Sequence, residues 1–278
     1  MNKPADDLSA DYRTTHDRSG RIARWLAPLA VGVALLVAWE VAVRMREVPA
    51  YLLPAPSAIA KTIANEWPAL SAAWLVTLKT MAVALAAAVL TGVAAAALFA
   101  SSRLIETSFF PYAVMLQVTP LVAVAPFIGI WLGWERVWLI QLVCAWIVAF
   151  FPILSGTAIG LRSADRGLRD LFDLYGATRW QKLRSLLAPS ALPYFLAGLK
   201  VSVNLSLVGA VVAEFVIGPQ TAQPGIASTI FESQLRSNTP MMFAALALIS
   251  LTGIVMYFVT EALSRALLGR WHESYAVK

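Results

Sequence analysis

Four ionisable residues lie within or at the ends of long apolar runs of the sequence: Glu40, Lys79, Lys200 and Glu214. Charged side chains in such surroundings are costly, and they commonly mark the path of an ion, a proton or a polar solute. Glu40 and Glu214 fall near the ends of their runs, and the two lysines lie within about two turns of an end, which a lysine side chain can reach. None stands at the centre of a run, which argues against a carrier coupled to protons or sodium ions.

Motifs of enzymatic chemistry are absent from the sequence. It contains no G-x-x-x-x-G-K-[ST], H-E-x-x-H, C-x-x-C or G-x-S-x-G, and therefore no P-loop of its own for ATP. The two histidines, His16 and His272, lie near opposite ends of the chain, and Cys144 is the single cysteine. A Ser-His-Asp triad, a disulfide framework and a cysteine metal site are thus all excluded. We predict a protein that is not an enzyme and holds no metal.

The composition places the apolar runs in a membrane. Of 278 residues, 59% are hydrophobic and 14% are charged, whereas soluble domains carry about 25% charged residues. The runs are long enough to cross about 30 Å of hydrocarbon as helices. We predict an all-α polytopic membrane protein with six spans, at residues 25–46, 72–100, 107–132, 136–161, 194–217 and 241–266.

The basic residues are distributed unevenly around these spans. With both termini in the cytoplasm, fifteen Lys and Arg residues lie on the inner side and five on the outer side, which agrees with the positive-inside rule. The net charge of +6 therefore reflects orientation in a bilayer rather than a nucleic-acid partner.

This topology divides the chain into five parts. They are a cytoplasmic tail at 1–24, a first helix at 25–46, an outer interfacial segment at 47–71, a core of five helices at 72–268 with a polar loop at 162–193, and a cytoplasmic tail at 269–278. In the interfacial segment, Ser57 can cap a short helix, and Ile59, Ile63 and Trp67 recur on one face of it.

The third span contains three prolines, and Pro120 and Pro126 lie in its second half. Each removes a backbone donor and frees a carbonyl that lipid cannot satisfy, so this stretch should face protein or a watery path. Thr119 and Ala123 lie beside the prolines and join them as candidates for a solute path.

The fifth span carries the remaining path candidates. Ser202, Asn204 and Ser206 either line the path or form hydrogen bonds between helices, and the second role is the commoner one. Glu214, in VVAEFVIG, is either a carboxylate in water at the outer interface or a group at a gate that contacts a partner protein.

A polar segment at 173–200, DLYGATRWQKLRSLLAPSALPYFLAGLK, separates the fourth and fifth spans. Leu168, Leu171, Phe172 and Tyr175 before its corner follow the spacing of one helix face. Gly176 breaks this first short helix.

A second short helix is predicted to follow the corner at once. Thr178 and Gln181 fit a capping box at its start. Pro189 is predicted to end it, and Pro193 suits the first turn of the fifth span. The sequence thus predicts two short amphipathic helices at a glycine corner on the cytoplasmic side.

The corner resembles the "EAA" loop of ABC-importer permeases of the type I fold. In those proteins the loop ends in L-P-x-A-x-P-x-x-x-x-G, and Pro189, Ala191, Pro193 and Gly198 match at this spacing. LLPAPSAI at 52–59, VTPLVAVAPFIGIWLGWE at 118–135 and VVAEFVIG at 211–218 resemble segments of the nitrate/sulfonate/taurine subfamily. The chain departs from the family at 170–172, where Asp-Leu-Phe replaces Glu-Ala-Ala, at Ala188, and in GPQTAQPGIAS after the fifth span.

The resemblance implies a type I permease fold with a cytoplasmic coupling helix. It also implies that the 165–188 loop docks onto a separate ATPase, which would carry ATP and Mg, with no cofactor on this chain. The docking residues would be Asp170, Leu171, Phe172, Tyr175, Gly176, Ala177, Thr178 and Gln181.

The partners implied by the resemblance are a second permease copy, two ATPase subunits and a periplasmic or lipid-anchored solute-binding protein. The location would be the bacterial inner membrane, and the cargo a small solute of the nitrate, sulfonate, taurine, vitamin-precursor or aromatic-acid type. The residues leave two alternatives open: a secondary carrier or channel that works without an ATPase, and a structural membrane scaffold. Copurification with a P-loop ATPase would distinguish an ATP-driven importer from both alternatives.

Overall fold

The computed structural model describes residues 27–218 and 223–268. The predicted tails at 1–24 and 269–278, with His16 and His272, lie outside the described residues. Within the described part, the helices are α1 (Ala27–Met45), α2 (Pro56–Asn65), α3 (Trp67–Ser101), α4 (Arg103–Val118), α5 (Leu121–Leu132), α6 (Val137–Arg162), α7 (Arg166–Leu174), α8 (Arg179–Lys182), α9 (Ala188–Ile217), α10 (Ile226–Leu235) and α11 (Thr239–Leu268). A short 3-10 turn at Trp134–Arg136 precedes α6.

Five of the six predicted spans are single helices that are long and apolar enough to cross a membrane. These are α1, α3, α6, α9 and α11. With 35 residues, α3 measures about 52 Å at 1.5 Å per residue, longer than the ~30 Å hydrocarbon layer. It begins at Trp67, before the predicted start at 72, because the interfacial segment winds directly into it.

The third predicted span is not one helix. The α4 and α5 helices meet at 104°, and together they are long and apolar enough for one broken span or a re-entrant pair of helices. The cause of the bend is Pro120: its ring disfavours the helical conformation for the residue before it, and Thr119 is extended, with φ −71° and ψ 126°. Pro111 and Pro126 stay inside α4 and α5.

The helix after the corner runs further than predicted. Pro189 does not end it, because a π-helical turn at Leu183–Leu187 joins α8 to α9, and the helix is continuous over Arg179–Ile217. In a π turn each carbonyl pairs with an N–H five residues ahead, as Ala188 does with Leu183. This wider turn accommodates a proline that has no N–H to donate.

The α6 and α9 helices pack at backbone distance through small residues. A Cβ added at Gly198 would lie 2.4 Å from the Pro152 carbonyl oxygen, and one at Gly156 would lie 2.7 Å from that of Tyr194. Such close approach is how helices gain van der Waals contact in a bilayer, where burial against lipid supplies little driving force. This pair forms the centre of the bundle, with α3 packed beside it.

The two ends of the bundle have separate apolar clusters. At one end, Ile59 of α2, Leu70 of α3, Ile226 of α10 and Leu248 of α11 pack together; we call this the α10 end. At the other end, Phe99 of α3 packs in a second cluster with the last turns of α6 and the start of α9. The α7 helix follows α6 directly there, and we call this the α7 end.

The interfacial segment contains the short helix that its pattern predicts, but Ser57 does not cap it. The N-cap is Ala55, with Pro56 in the first helical position. The carboxylate of Glu40 in α1 instead accepts hydrogen bonds from the Ser57 backbone N–H at 3.0 Å and from its hydroxyl at 2.8 Å. An acidic side chain from another helix thus accepts a hydrogen bond from a free backbone N–H in the first turn of α2.

Candidate functional sites

The predicted glycine corner is a Schellman turn at the end of α7. The N–H of Ala177 donates to the Phe172 carbonyl at 2.9 Å, and that of Gly176 donates to the Asp173 carbonyl at 3.0 Å. Gly176 has φ +64°, the left-handed conformation that this turn requires and that glycine adopts without steric cost. A Cβ at Gly176 would meet no atom within 4 Å, so the constraint on this residue is conformational and not spatial.

The predicted capping box starts α8. Gln181 N–H donates to the Thr178 hydroxyl at 3.3 Å, and the Thr178 N–H donates to the Gln181 side-chain oxygen at 2.8 Å. An ion pair between Lys182 and Asp173 then connects α8 to α7. The geometry of the two short helices is therefore fixed by local bonds on both sides of Gly176.

The corner presents apolar side chains where a polar loop would be expected. Leu174 is 83% exposed, Tyr175 80% and Trp180 68%. Beside them is a groove of about 520 Å³, lined by Leu171, Phe172, Tyr175, Gly176, Ala177, Gln181 and Ser185. Exposed apolar patches of this kind mark surfaces that contact a protein or a membrane.

Six of the eight predicted docking residues line this groove. The structure thus brings Leu171, Phe172, Tyr175, Gly176, Ala177 and Gln181 together, while Asp170 is exposed on α7 and Thr178 is exposed in the capping box. Sequence reasoning missed Leu174 and Trp180. The sequence could have indicated both, since each is a large apolar residue next to a predicted turn.

The corner is fastened to the spans. Arg169 donates to the Leu161 carbonyl at the end of α6 at 2.8 Å, and the Asp165 carboxylate accepts the Leu168 N–H at 3.1 Å to cap α7. Arg162 forms an ion pair with Glu106 of α4. Because α8 continues into α9, a force on the corner reaches α4, α6 and α9 through bonded contacts.

Two of the path candidates in α9 are buried inside the described chain. Ser202 donates across to the Ala149 carbonyl of α6 at 2.7 Å, as the helix-packing alternative expects. Ser206 donates to the Val203 carbonyl of its own helix at 2.8 Å. Asn204 is half-buried.

Glu214 is fully buried, which excludes the reading of a carboxylate in water. Its side chain accepts a hydrogen bond from the Thr77 hydroxyl at 2.7 Å and one from the Ala227 N–H at 3.0 Å. The Ile226 N–H donates to the same Thr77 hydroxyl at 2.9 Å. The first turn of α10 is thus capped by side chains of α3 and α9, so Glu214 is not free to line a path or contact a binding protein in this conformation.

The candidates at the bend between α4 and α5 have open surroundings. Thr119, Pro120 and Ala123 are exposed and Pro126 is half-buried. The Thr119 hydroxyl donates to the Met115 carbonyl at 2.6 Å and so satisfies one of the carbonyls at the helix end. A cavity of about 380 Å³ on the concave side of the bend includes Thr119 in its lining.

The charges inside the spans have different partners. Lys200 of α9 forms an ion pair with Glu261 of α11 at 2.6 Å, and Glu261 also pairs with Arg265 at 3.2 Å. Within residues 27–218 and 223–268, no cluster of three or more His, Cys, Asp or Glu side chains could hold a metal ion.

The described residues thus form a bundle of long apolar helices with a rigid corner of exposed apolar side chains between α6 and α9, which is the architecture of a multi-pass membrane protein. Residues 88–269 match the family described as "Binding-protein-dependent transport system inner membrane component". The chain belongs to this family of ABC transporter permeases.

Relatives with related names align over most of the chain. The riboflavin transport system permease protein RibX of Chloroflexus aurantiacus is 36% identical over 245 residues, covering 86% of this chain and 88% of the relative. The formylaminopyrimidine transport permease protein ThiX of Halalkalibacterium halodurans is 31% identical over 244 residues, covering 87% and 95%. The taurine transport system permease protein TauC of Escherichia coli is 25% identical over 271 residues, covering 91% and 94%.

A solved structure has the same fold. The "Crystal structure of an amino acid ABC transporter with histidines" superposes with a TM-score of 0.60 at 18% identity, covering 75% of this chain and 97% of the other. The sequence-based predictions of a multi-pass permease with the type I fold are therefore confirmed.

Proposed function

We propose that the chain is the membrane subunit of an ATP-driven importer for a small solute. Two copies form the solute path between them, a separate solute-binding protein delivers the cargo, and two ATPase subunits, which carry ATP and Mg, supply the energy. The relatives named for riboflavin, formylaminopyrimidine and taurine transport support a small polar or anionic solute as cargo.

The observation that carries this proposal is the corner at the α7 end. Leu174, Tyr175 and Trp180 project from it beside a groove of about 520 Å³, and local hydrogen bonds hold it rigid. A lipid-facing helix pair would direct such side chains toward the bilayer. The nearby Arg166, Arg179 and Arg184 suit lipid headgroups as well as a protein, so it is the preformed groove, held in shape by local bonds, that favours a protein partner.

The tethers of the corner explain how ATP hydrolysis would move the spans. Closing of an ATPase pair would displace the corner as a rigid body, and the bonds of Arg169 and Arg162 transmit that displacement to α6 and α4. The continuous α8–α9 helix transmits it to the centre of the bundle. Rigid-body motion of packed helices is a common means of switching between two states.

The orientation proposed is the one predicted from the basic residues. The α7 end faces the cytoplasm of a bacterium and the α10 end faces the outside, with both termini inside. Six basic residues from Arg162 to Arg184 lie on the inner side in this orientation, as the positive-inside rule favours.

The decisive experiment is purification of the tagged chain, co-expressed with the ATPase of its own transport system, in mild detergent. The wild type should retain the ATPase, and Tyr175→Ser combined with Trp180→Ser should release it without lowering the amount of protein in the membrane. Leu104→Ser, at a 75% exposed apolar position of α4 outside the corner, is the matched control and should retain it. Equal ATPase retention by the corner variant and the control would refute docking at the corner, whereas no retention by the wild type would favour an ATP-independent carrier.

A further inference from the structure

A cavity of about 650 Å³ lies at the α10 end between α3 and the start of α6. Its lining includes Lys79, Trp138, Gln141 and Gln223. The volume is within the range of small-molecule sites, about 300–1,000 Å³. None of the path candidates at the bend or in α9 takes part in it, so it is a separate feature of the bundle.

Lys79 is one of two cations that line this cavity, and its situation differs from that of Lys200. Lys200 is neutralised by Glu261 at 2.6 Å. Lys79 is exposed within α3, and in the part of the chain that the structure describes it forms no ion pair. Its ammonium lies 5.7 Å from the centre of the Trp138 ring. Its charge is therefore available for a ligand.

Gln141 also lines the cavity and holds an unpaired donor. Its side chain is 2% exposed, and its Nε2 has no hydrogen-bond partner among the described residues. Leaving a buried amide donor unpaired costs about 1–3 kcal/mol. A group retained at that cost on the wall of a cavity is explained if a ligand acceptor satisfies it.

The walls of the cavity are aromatic. Trp138 lies under the Lys79 ammonium, and Trp134 lines the cavity from the turn before α6. A Cβ on Gly129 of α5 would lie 2.7 Å from the Trp134 ring, so α5 fixes the position of that indole. Flat indole faces favour a flat apolar body.

The charges around the cavity favour an anion. Besides Lys79, the lining contains Arg136 and one carboxylate, Glu135. The ammonium of Lys79 and the Nε2 of Gln141 are hydrogen-bond donors. A carboxylate or sulfonate would accept from both, with charge assistance from the ammonium.

We propose that this cavity is a solute-binding site within the permease for a small organic anion with a flat apolar body. The acidic group would bind Lys79 and Gln141, and the flat body would lie against Trp138 and Trp134. The role of this site in transport rests on the importer function proposed above.

The test is ligand-observed fluorine NMR with the purified chain in lipid nanodiscs. The probes are para-fluorobenzenesulfonate, para-fluorobenzoate and the neutral para-fluorobenzamide, with empty nanodiscs subtracted for partition into lipid. The wild type should broaden the signals of the two anions saturably and that of the amide much less. Lys79→Gln should weaken anion binding by about tenfold or more, the loss of a charge-assisted hydrogen bond.

Matched variants separate the site from general effects. Lys79→Arg should keep anion binding, as should Lys61→Gln, which removes an exposed cation of α2. Trp138→Leu should weaken binding, whereas Trp131→Leu, at a 77% exposed indole of α5, should not. Gln141→Leu should weaken binding while leaving the thermal midpoint unchanged or higher, because it removes an unpaired buried donor. A glutamine with a merely structural role would lower the midpoint.

Three results would overturn the proposal: no saturable anion binding to the wild type, equal binding to Lys79→Gln and the wild type, or equal binding of the amide and the anions. Retention of the ATPase is measured on the same preparations. If Lys79-dependent binding is found while the wild type fails to retain the ATPase, the importer proposal fails and the anion site stands.

Discussion

The carboxylate of Glu214 in α9 accepts a hydrogen bond from the Thr77 hydroxyl of α3 at 2.7 Å, and that hydroxyl in turn accepts the first free N–H of α10. The other carboxylate oxygen accepts the second N–H of α10, from Ala227. Two long helices thus hold the start of a third, short helix. Gly225 packs so closely on Glu214 that a Cβ there would lie 2.2 Å from the carboxylate.

We predict that Glu214→Ala lowers both transport and the thermal midpoint. The substitution leaves the Ala227 N–H and the Thr77 hydroxyl buried without their acceptor, at a cost of about 1–3 kcal/mol for each such group. Glu214→Gln should lose less, because a rotated amide can still accept from Ala227 and donate to Thr77. Uptake into proteoliposomes and thermal unfolding in detergent measure the two effects.

Thr77 provides the cross-check on this cluster. Thr77→Val keeps the shape of the side chain and removes the hydroxyl, so it should reproduce most of the loss of stability. Because both residues act on one network, the double variant with Glu214→Ala should lose at most about 1 kcal/mol more unfolding free energy than the less stable single variant. Ser206→Ala, which removes a buried hydroxyl bonded to its own helix, is the control. Additive losses at Thr77 and Glu214 would contradict the shared role.

Sequence reasoning identified much of the fold because the signals are local. Long apolar runs predict spans wherever they lie, and the spacing around Gly176 and Thr178 defines the corner through bonds that stay within nine residues of one another in sequence. The capping box between Thr178 and Gln181 follows directly from that spacing. Such features require no knowledge of what packs against them.

The unpredicted features depend on partners far along the chain. Thr77 and Glu214 are 137 residues apart, and nothing in the alternating apolar and small residues around Thr77 distinguishes it from other threonines. Ser57 is likewise bonded to Glu40 of another helix rather than to its own. The bend at Pro120 was visible as a proline, but the angle of 104° depends on how α5 packs against α6 and α9.

The effect of a substitution at Gly176 is predicted to depend on how readily the new residue adopts a left-handed backbone conformation, and not on the size of its side chain. There is room for a Cβ, but a left-handed conformation costs an L-residue about 1–2 kcal/mol. Gly176→Asn should therefore retain most transport and ATPase association, Gly176→Ala less, and Gly176→Val least. Gly32→Ala, in α1, where a Cβ would meet no atom within 4 Å, is the control and should be neutral. Full activity of Gly176→Val would argue against a rigid coupling corner.

The bend between α4 and α5 is predicted to face water or a second copy. In a Cys144→Ala background, cysteines at Thr119 and Ala123, both exposed, should react with a small polar thiol reagent in at least one transport state. A cysteine at Ala125, which is fully buried, should not react. If Thr119 and Ala123 react only with a membrane-soluble reagent, the bend faces lipid and is excluded from the path.

The ion pair between Lys200 and Glu261 is predicted to respond unequally to removal of its two members. In Lys200→Met, Glu261 keeps Arg265 as a partner at 3.2 Å, so the loss should be below about 1 kcal/mol, as for other partly exposed pairs. In Glu261→Gln, Lys200 loses the carboxylate that neutralises it within the span. A charge left unpaired in apolar surroundings is the costlier outcome, by about 2–3 kcal/mol at the centre of a span and less toward its ends.

Thermal unfolding in nanodiscs measures both losses. The combination of Lys200→Met with Glu261→Gln should recover much of the stability lost in Glu261→Gln alone. Equal losses in the two single variants, without recovery in the double variant, would mean that packing of the side chains and not charge pairing joins α9 to α11 here.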